Sequence, residues 1–224
     1  MLAFIIRALG GLCHQLPAHS LSPYGQALPL CARCTGMHVA GASALLYLAL
    51  ARRKSQRCGL PDGPAALMLL AFMVLWALDG SNSLLHLLSG WAIYQPSNAL
   101  RLFTGAGMGL TLGLSLYPTL RLVFKPIDTT CTQPVASRLV SLVGPCLAAA
   151  GGLLVIVLLP WVGVRDVLLF TAALTLLAAA NGLLVTIALE RWVSLRARWF
   201  WPLGVGVALA QMSVLAWLRS MMGA

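Results

Sequence analysis

Acidic side chains are nearly missing from this chain of 224 residues. Asp and Glu together number five, against fifteen Lys and Arg, and charged residues of both signs make up only 9%. A soluble domain could not hide 60% hydrophobic residues, at a mean hydropathy of +0.89, behind so few charges. A bilayer is the solvent this composition fits. A basic stripe interleaved with aromatics is also lacking, so the net charge of +10 does not read as a nucleic-acid footprint, and no nucleic-acid partner is expected. No linker is long enough to divide the chain, and residues 1–224 read as a single membrane domain. No small-x-small cleavage site follows residues 1–12, and Arg7 breaks their apolar run. The expectation there is a short helix lying in the membrane interface rather than a cleaved signal peptide.

What is present is apolar helix in six long runs. The spans are expected at about 35–51, 64–88, 98–120, 138–160, 166–189 and 199–219. Pro64 suits a first helical turn, and Ser97 suits the N-cap of the third span. The fold class is therefore all-α: a polytopic transmembrane bundle of about six spans plus a short N-terminal interfacial helix. Residues 1–34 form an interfacial Cys/His segment, 35–120 the first three spans, and 137–219 the last three.

The basic residues sort by side. If the 52–57 loop is cytoplasmic, ten of the fifteen lie on that side, and Arg7, Arg33, Arg101, Arg165 and Arg219 remain on the other. This asymmetry predicts that the segment around Cys13–Gly36 faces the periplasm or exterior. A similarity between Leu147–Leu159 and Leu177–Leu189 covers only thirteen Ala/Gly-rich residues. Close helix packing explains it without a duplication.

Polar groups concentrate in one stretch, Cys13 to Gly36, reading CHQLPAHSLSPYGQALPLCARCTG. Two chemistries fit it. In the first, Cys13, His14, Cys31 and Cys34 bind a metal, since thiolate with imidazole suits zinc or iron. In the second, Cys31 and Cys34 are a redox pair served by Cys13. A structural disulfide involving Cys13 is the plain alternative. Either way Cys13 must meet the Cys31/Cys34 pair, and Pro17, Pro23, Gly25 and Pro29 stiffen the loop for that return. His19, in the same loop, is expected to be solvated.

A second polar set lies within the spans, where ionisable groups usually face a partner or a cavity. Asp79, Asn82 and His86 share one face of the second span. Asn98, Arg101 and Thr104 share one face of the third. Asp79 sits ~22 Å up from the inner end of its helix, and Arg101 ~6 Å down from the outer end of the next. At such similar depth the two are expected to pair. Arg101, beside a helix N-terminus, is also suited to hold an anion.

The motifs Cys13-His14-Gln15 and Pro29-Leu30-Cys31-Ala32-Arg33-Cys34-Thr35-Gly36 resemble those of an uncharacterised prokaryotic family. Its members are small predicted membrane proteins with a CHQ…CxRCTG signature, catalogued as a domain of unknown function. The resemblance continues through Asp79-Gly80 and Asn98-x-x-Arg101-x-x-Thr104-Gly105. It implies location in a prokaryotic inner membrane and a grouped site, without an activity.

The leading expectation is a metal-dependent membrane protein that binds or acts on an anionic ligand, lipid-linked or small. Arg33, Asn82, Asn98, Arg101 and Thr104 are the expected ligand contacts, and Asp79 and Arg101 the candidate catalytic pair. A membrane thiol–disulfide oxidoreductase is the second expectation and a transporter the third.

Overall fold

The structure, a computed structural model, describes residues 2–51, 57–124, 133–189 and 197–221. The basic clusters expected at 52–54 and 190–196, and the loop holding Cys131, lie outside the described residues. The described residues form seven α-helices: α1 (Leu2–Gly10), α2 (Ala32–Ala51), α3 (Gly63–Ser89), α4 (Asn98–Phe124), α5 (Val143–Leu158), α6 (Val162–Leu189) and α7 (Ala197–Met221). Six apolar runs long enough to span a membrane lie among the described residues, one each in α2, α3, α4, α6 and α7 and one in α5 together with the turn that precedes it, as the composition predicts. A two-residue parallel pairing of β1 (Arg57–Gly59) with β2 (Gln133–Pro134) ties two connecting segments together at the end where α3 begins.

The most extensive helix pair is α2 with α4. The two run parallel and touch backbone to backbone. Gly105, Gly109 and Gly113 recur every fourth residue on α4, facing Gly36 and Gly41 of α2. A Cβ at Gly105 would collide with the carbonyl of Arg33, and one at Gly36 with the carbonyl of Leu102. Such small-residue stripes let membrane helices approach closely where no hydrophobic effect draws them together. Because the pair is parallel, the N-termini of α2 and α4 lie side by side at the cysteine end.

The remaining elements wrap this pair. Helix α3 packs mainly on α4, α5 on α2, and α7 on α6 and α1. Across α6 and α7, Asn181 donates to Gln211 at 3.0 Å. Helix α1 buries Ile5, Ala8 and Leu9 and leaves Phe4 and Ile6 exposed, the amphipathic pattern expected of it. Ser97 caps α4 as predicted, its hydroxyl accepting the Leu100 N–H at 3.2 Å.

Several boundaries differ from expectation: α2 begins at Ala32 rather than at about 35, and α4 runs on to Phe124 rather than ending at about 120. The fourth span opens with a 3-10 turn, Leu139–Leu142, before α5. Helix α6 starts at Val162, four residues before the expected 166, so Arg165 closes its first turn and Asp166 opens the second, both buried. The reason is local. Arg165 Nη1 donates to the Pro23 carbonyl at 3.3 Å, and its guanidinium lies 5.9 Å from the Tyr24 ring. The charge is met by the loop above the helix rather than by solvent.

Candidate functional site

Residues 11–31 form a strap over the ends of the helices where α2 and α4 begin. Prolines open its two 3-10 turns, Pro17–His19 and Pro23–Gly25, and Gly25 takes the left-handed conformation (φ 75°) that closes the second. The strap folds back on itself through an antiparallel bridge between Ser20 and Cys31 and a 2.8 Å bond from Leu28 N–H to Leu21 O. Leu28 and Leu30 are buried beneath it, each worth roughly 1.5–3 kcal/mol. Tyr24 reaches across to donate to the Leu158 carbonyl at 2.8 Å, and Asn98 of α4 donates to Ala18 O and Ser20 O at 3.0 and 3.2 Å. The predicted return of the strap's two ends is what the chain does.

Its consequence is a cluster of sulfurs. The Sγ atoms of Cys13, Cys31 and Cys34 all lie within 4.8 Å of one another. Cys31 immediately precedes α2; its sulfur accepts the Cys34 N–H at 3.5 Å, and its own N–H is donated to Cys13 Sγ at 3.2 Å. The Cys13 thiol is held far below its ordinary range by hydrogen bonds from Cys31 and Cys34, with help from His14, against the effect of burial. The Cys31 thiol is pushed up by donating to Cys13. One of the three thiols therefore ionises early and the others stabilise it, at a helix N-terminus that favours negative charge.

His14 stands beside this cluster rather than in it. Its Nδ1 is 3.9 Å from Cys13 Sγ, and its Nε2 shares a 3.0 Å hydrogen bond with His19 Nδ1. His19 is thus partnered and not simply solvated. Burial, then the Arg101 charge, lowers its pKa from the ordinary histidine value. Gln15 spans the strap, donating to Ile6 O at 2.9 Å and Pro29 O at 3.0 Å.

The expected pairing of Asp79 with Arg101 is corrected. Asp79, 1% exposed, forms its ion pair with Arg33 of the CxxC turn. Arg33 Nε and Nη2 both reach Asp79 Oδ2, and Nη2 also donates to Ser83 Oγ at 2.9 Å. Thr104 donates to the same carboxylate at 3.2 Å and the Tyr94 hydroxyl at 2.9 Å. Depth alone could not choose between two arginines on neighbouring helices. The glycine contact of α2 with α4 decides it, because it sets Arg33 directly against α3. Arg101, 5% exposed, is left with Asn98 Oδ1 as its protein acceptor, at 2.9 Å. Asn82 spends its amide on the α3–α4 turn, accepting from Ile93 N–H at 2.8 Å and donating to Tyr94 O at 2.9 Å.

A cleft of about 500 Å³ opens beside the sulfurs. Its polar wall holds Cys31, Arg33, Arg101, His14 and His19, and its apolar wall Leu84 and Leu87 of α3. Arg219, at the far end of the chain, completes it. Arg219 Nη1 donates to Cys13 O at 2.8 Å, Gly10 O at 3.1 Å and Gln15 Oε1 at 3.4 Å, and Nη2 to His14 O at 2.8 Å. Sequence reasoning counted Arg219 only toward topology. A lone arginine in the last turn of an apolar helix was the available signal. Tyr94 and Ser83 carried none.

A membrane-spanning architecture agrees with the comparison to known families. Residues 13–115 match a family described as "Predicted membrane protein (DUF2085)", a family of unknown function. The match covers the strap and α2–α3 and most of α4, and leaves α5–α7 outside. No curated protein and no solved structure matches the chain.

Proposed function

We propose that this chain is a membrane metalloprotein in which Cys13, Cys31 and Cys34 hold a zinc or iron ion beside a cationic cleft that binds an anionic ligand, lipid-linked or small. The observation that carries the reading is the convergence of three sulfurs, two from the ends of the strap and one from the first turn of α2, to within 4.8 Å of one another. A tetrahedral ion with Zn–S bonds of ~2.3 Å holds its sulfurs ~3.8 Å apart, so the donor set fits such an ion with little movement. Three thiolates leave one coordination position for the ligand or for His14, and a bound ion would supply Lewis-acid polarisation there. Arg101 holds the anion at the N-terminus of α4. Asp79 acts as a positioning residue through Arg33. The cysteine side faces the periplasm or exterior of a prokaryotic inner membrane, on the strength of the basic-residue asymmetry.

The lowering of the Cys13 thiol's pKa by hydrogen bonds from Cys31 and Cys34 supports a second reading, a thiol–disulfide oxidoreductase, because a thiolate is the attacking species in exchange. Elemental analysis of protein purified without chelator, with a thiol count on the same sample, separates the two. Stoichiometric zinc or iron that is lost in Cys31→Ser supports the metal centre. Absence of metal with a reducible cysteine pair supports the oxidoreductase and overturns the first reading.

A further inference from the structure

We propose that the ligand of the cleft is a phosphate-bearing membrane lipid that enters sideways from the bilayer, between α3 and α7. The inference rests on the reading of the cleft as an anion site and is independent of the metal. Charge is the first support. The cleft and its surroundings hold three guanidinium groups, Arg33, Arg101 and Arg219, and one carboxylate, Asp79, which is spent on Arg33. The hydrogen-bond acceptors of Arg219 are three backbone carbonyls and an amide oxygen, and Asn98 supplies an amide oxygen to Arg101, so among the described residues neither guanidinium has a carboxylate in a salt bridge with it, and the thiol cluster is the other negative group nearby. Two guanidiniums without a carboxylate partner, beside two parallel helix N-termini, match the charge and the many acceptor oxygens of a phosphate. Arg101 is the built-in part of this site: it is 5% exposed, lines the cleft, and has one protein acceptor.

The second support is the other wall. Leu84 and Leu87 line the same cleft yet remain 55% and 59% exposed, because they face outward from the bundle. Helix α3 packs mainly on α4, and α7 on α6 and α1, so among the described residues no extensive helix pairing closes the side of the cleft that these leucines border. A free phosphate ion would use the arginines, fill little of the 500 Å³ and leave the leucine wall without a role. An amphiphile uses both. Exposed Trp91 just beyond α3 and Trp217 near the end of α7 place this level of the bundle at headgroup depth.

The test is a native mass-spectrometry titration of the purified full chain in neutral detergent. Its probes are dioleoyl phosphatidic acid, dioleoylglycerol and inorganic phosphate. The lipid phosphate should bind one to one, at least ~10-fold more tightly than either partial probe, as expected when charge-assisted bonds and an apolar wall act together. Arg101→Gln should weaken it by about tenfold. Since that side chain is buried, a second variant is needed. Leu87→Trp narrows the open side and should weaken the lipid several-fold, whereas Leu78→Trp, equally exposed on α3 but outside the cleft, should leave it unchanged. Equal binding of dioleoylglycerol, equal binding of inorganic phosphate, or equal effects of the two Trp variants would overturn the proposal. Metal content read on the same samples shows separately whether the thiolate centre stands.

Discussion

Arg33 and Asp79, forty-six residues apart, form an ion pair that locks the CxxC turn at the head of α2 to the middle of the bundle on α3. Among the described residues this is the one salt bridge, and its carboxylate is also held by Thr104 and Tyr94. Breaking a buried pair strands a charge at a cost of ~3–5 kcal/mol, while removing both partners costs less. Arg33→Gln and Asp79→Asn should each reduce stability in detergent, and the double variant should lose much less than the two single losses added together. Arg101→Gln should show no such coupling with Asp79→Asn. Thermal unfolding of the singles and doubles checks this, and coupling of Asp79 to Arg101 instead would reverse the assignment.

The glycine stripe sets the geometry of that pair. Gly105→Ala drives a methyl group into the Arg33 carbonyl, and overpacking of this kind costs about 1–3 kcal/mol. Gly151→Ala meets nothing within 4 Å and should be neutral or stabilising by up to ~1 kcal/mol. Melting temperatures of the two variants should move in opposite directions or differ clearly; equal shifts would contradict the close approach of α2 and α4.

Arg219 fastens the Cys13–Gln15 segment to α7 through four acceptors. A hydrogen bond to a charged group contributes about 1.5–3 kcal/mol, so Arg219→Gln should speed alkylation of the buried Cys13 by roughly one to two orders of magnitude. Arg219→Lys should fall between. Mass-spectrometric mapping of the labelled cysteine reads the result, and an unchanged rate would mean that the strap holds without the clamp.

The proposed orientation rests on the ten-to-five division of basic residues. A cysteine introduced at Gln95 should react with an impermeant thiol reagent in intact cells, and one in the 190–198 loop should be shielded. The reverse pattern would turn the cysteine site toward the cytoplasm.

The fold was legible because a span needs only length and apolarity, and six runs supply both. Ser97 and Pro64 announced their helix starts by local chemistry. The meeting of Cys13 with Cys31 and Cys34 could be read from the prolines between them. The partner of Asp79 could not, because helical depth ranks candidates along one axis and leaves rotation free. Rotation is fixed by Gly36 against Gly105, a contact encoded by missing side chains on two different helices. His19 and Arg219 were read as solvated and topological because their acceptors, an imidazole nitrogen and strap carbonyls, come from residues that only the folded strap brings near.

The central claim is a metal–thiolate centre at Cys13, Cys31 and Cys34, and X-ray absorption at the metal edge addresses it most directly. Protein purified without chelator in neutral detergent should give a first shell containing three sulfurs at ~2.3 Å from zinc, and the sulfur count should fall in Cys13→Ser as well as in Cys34→Ser. A shell of nitrogen and oxygen alone, or a metal-free protein whose mass shows a disulfide among these cysteines, would contradict it.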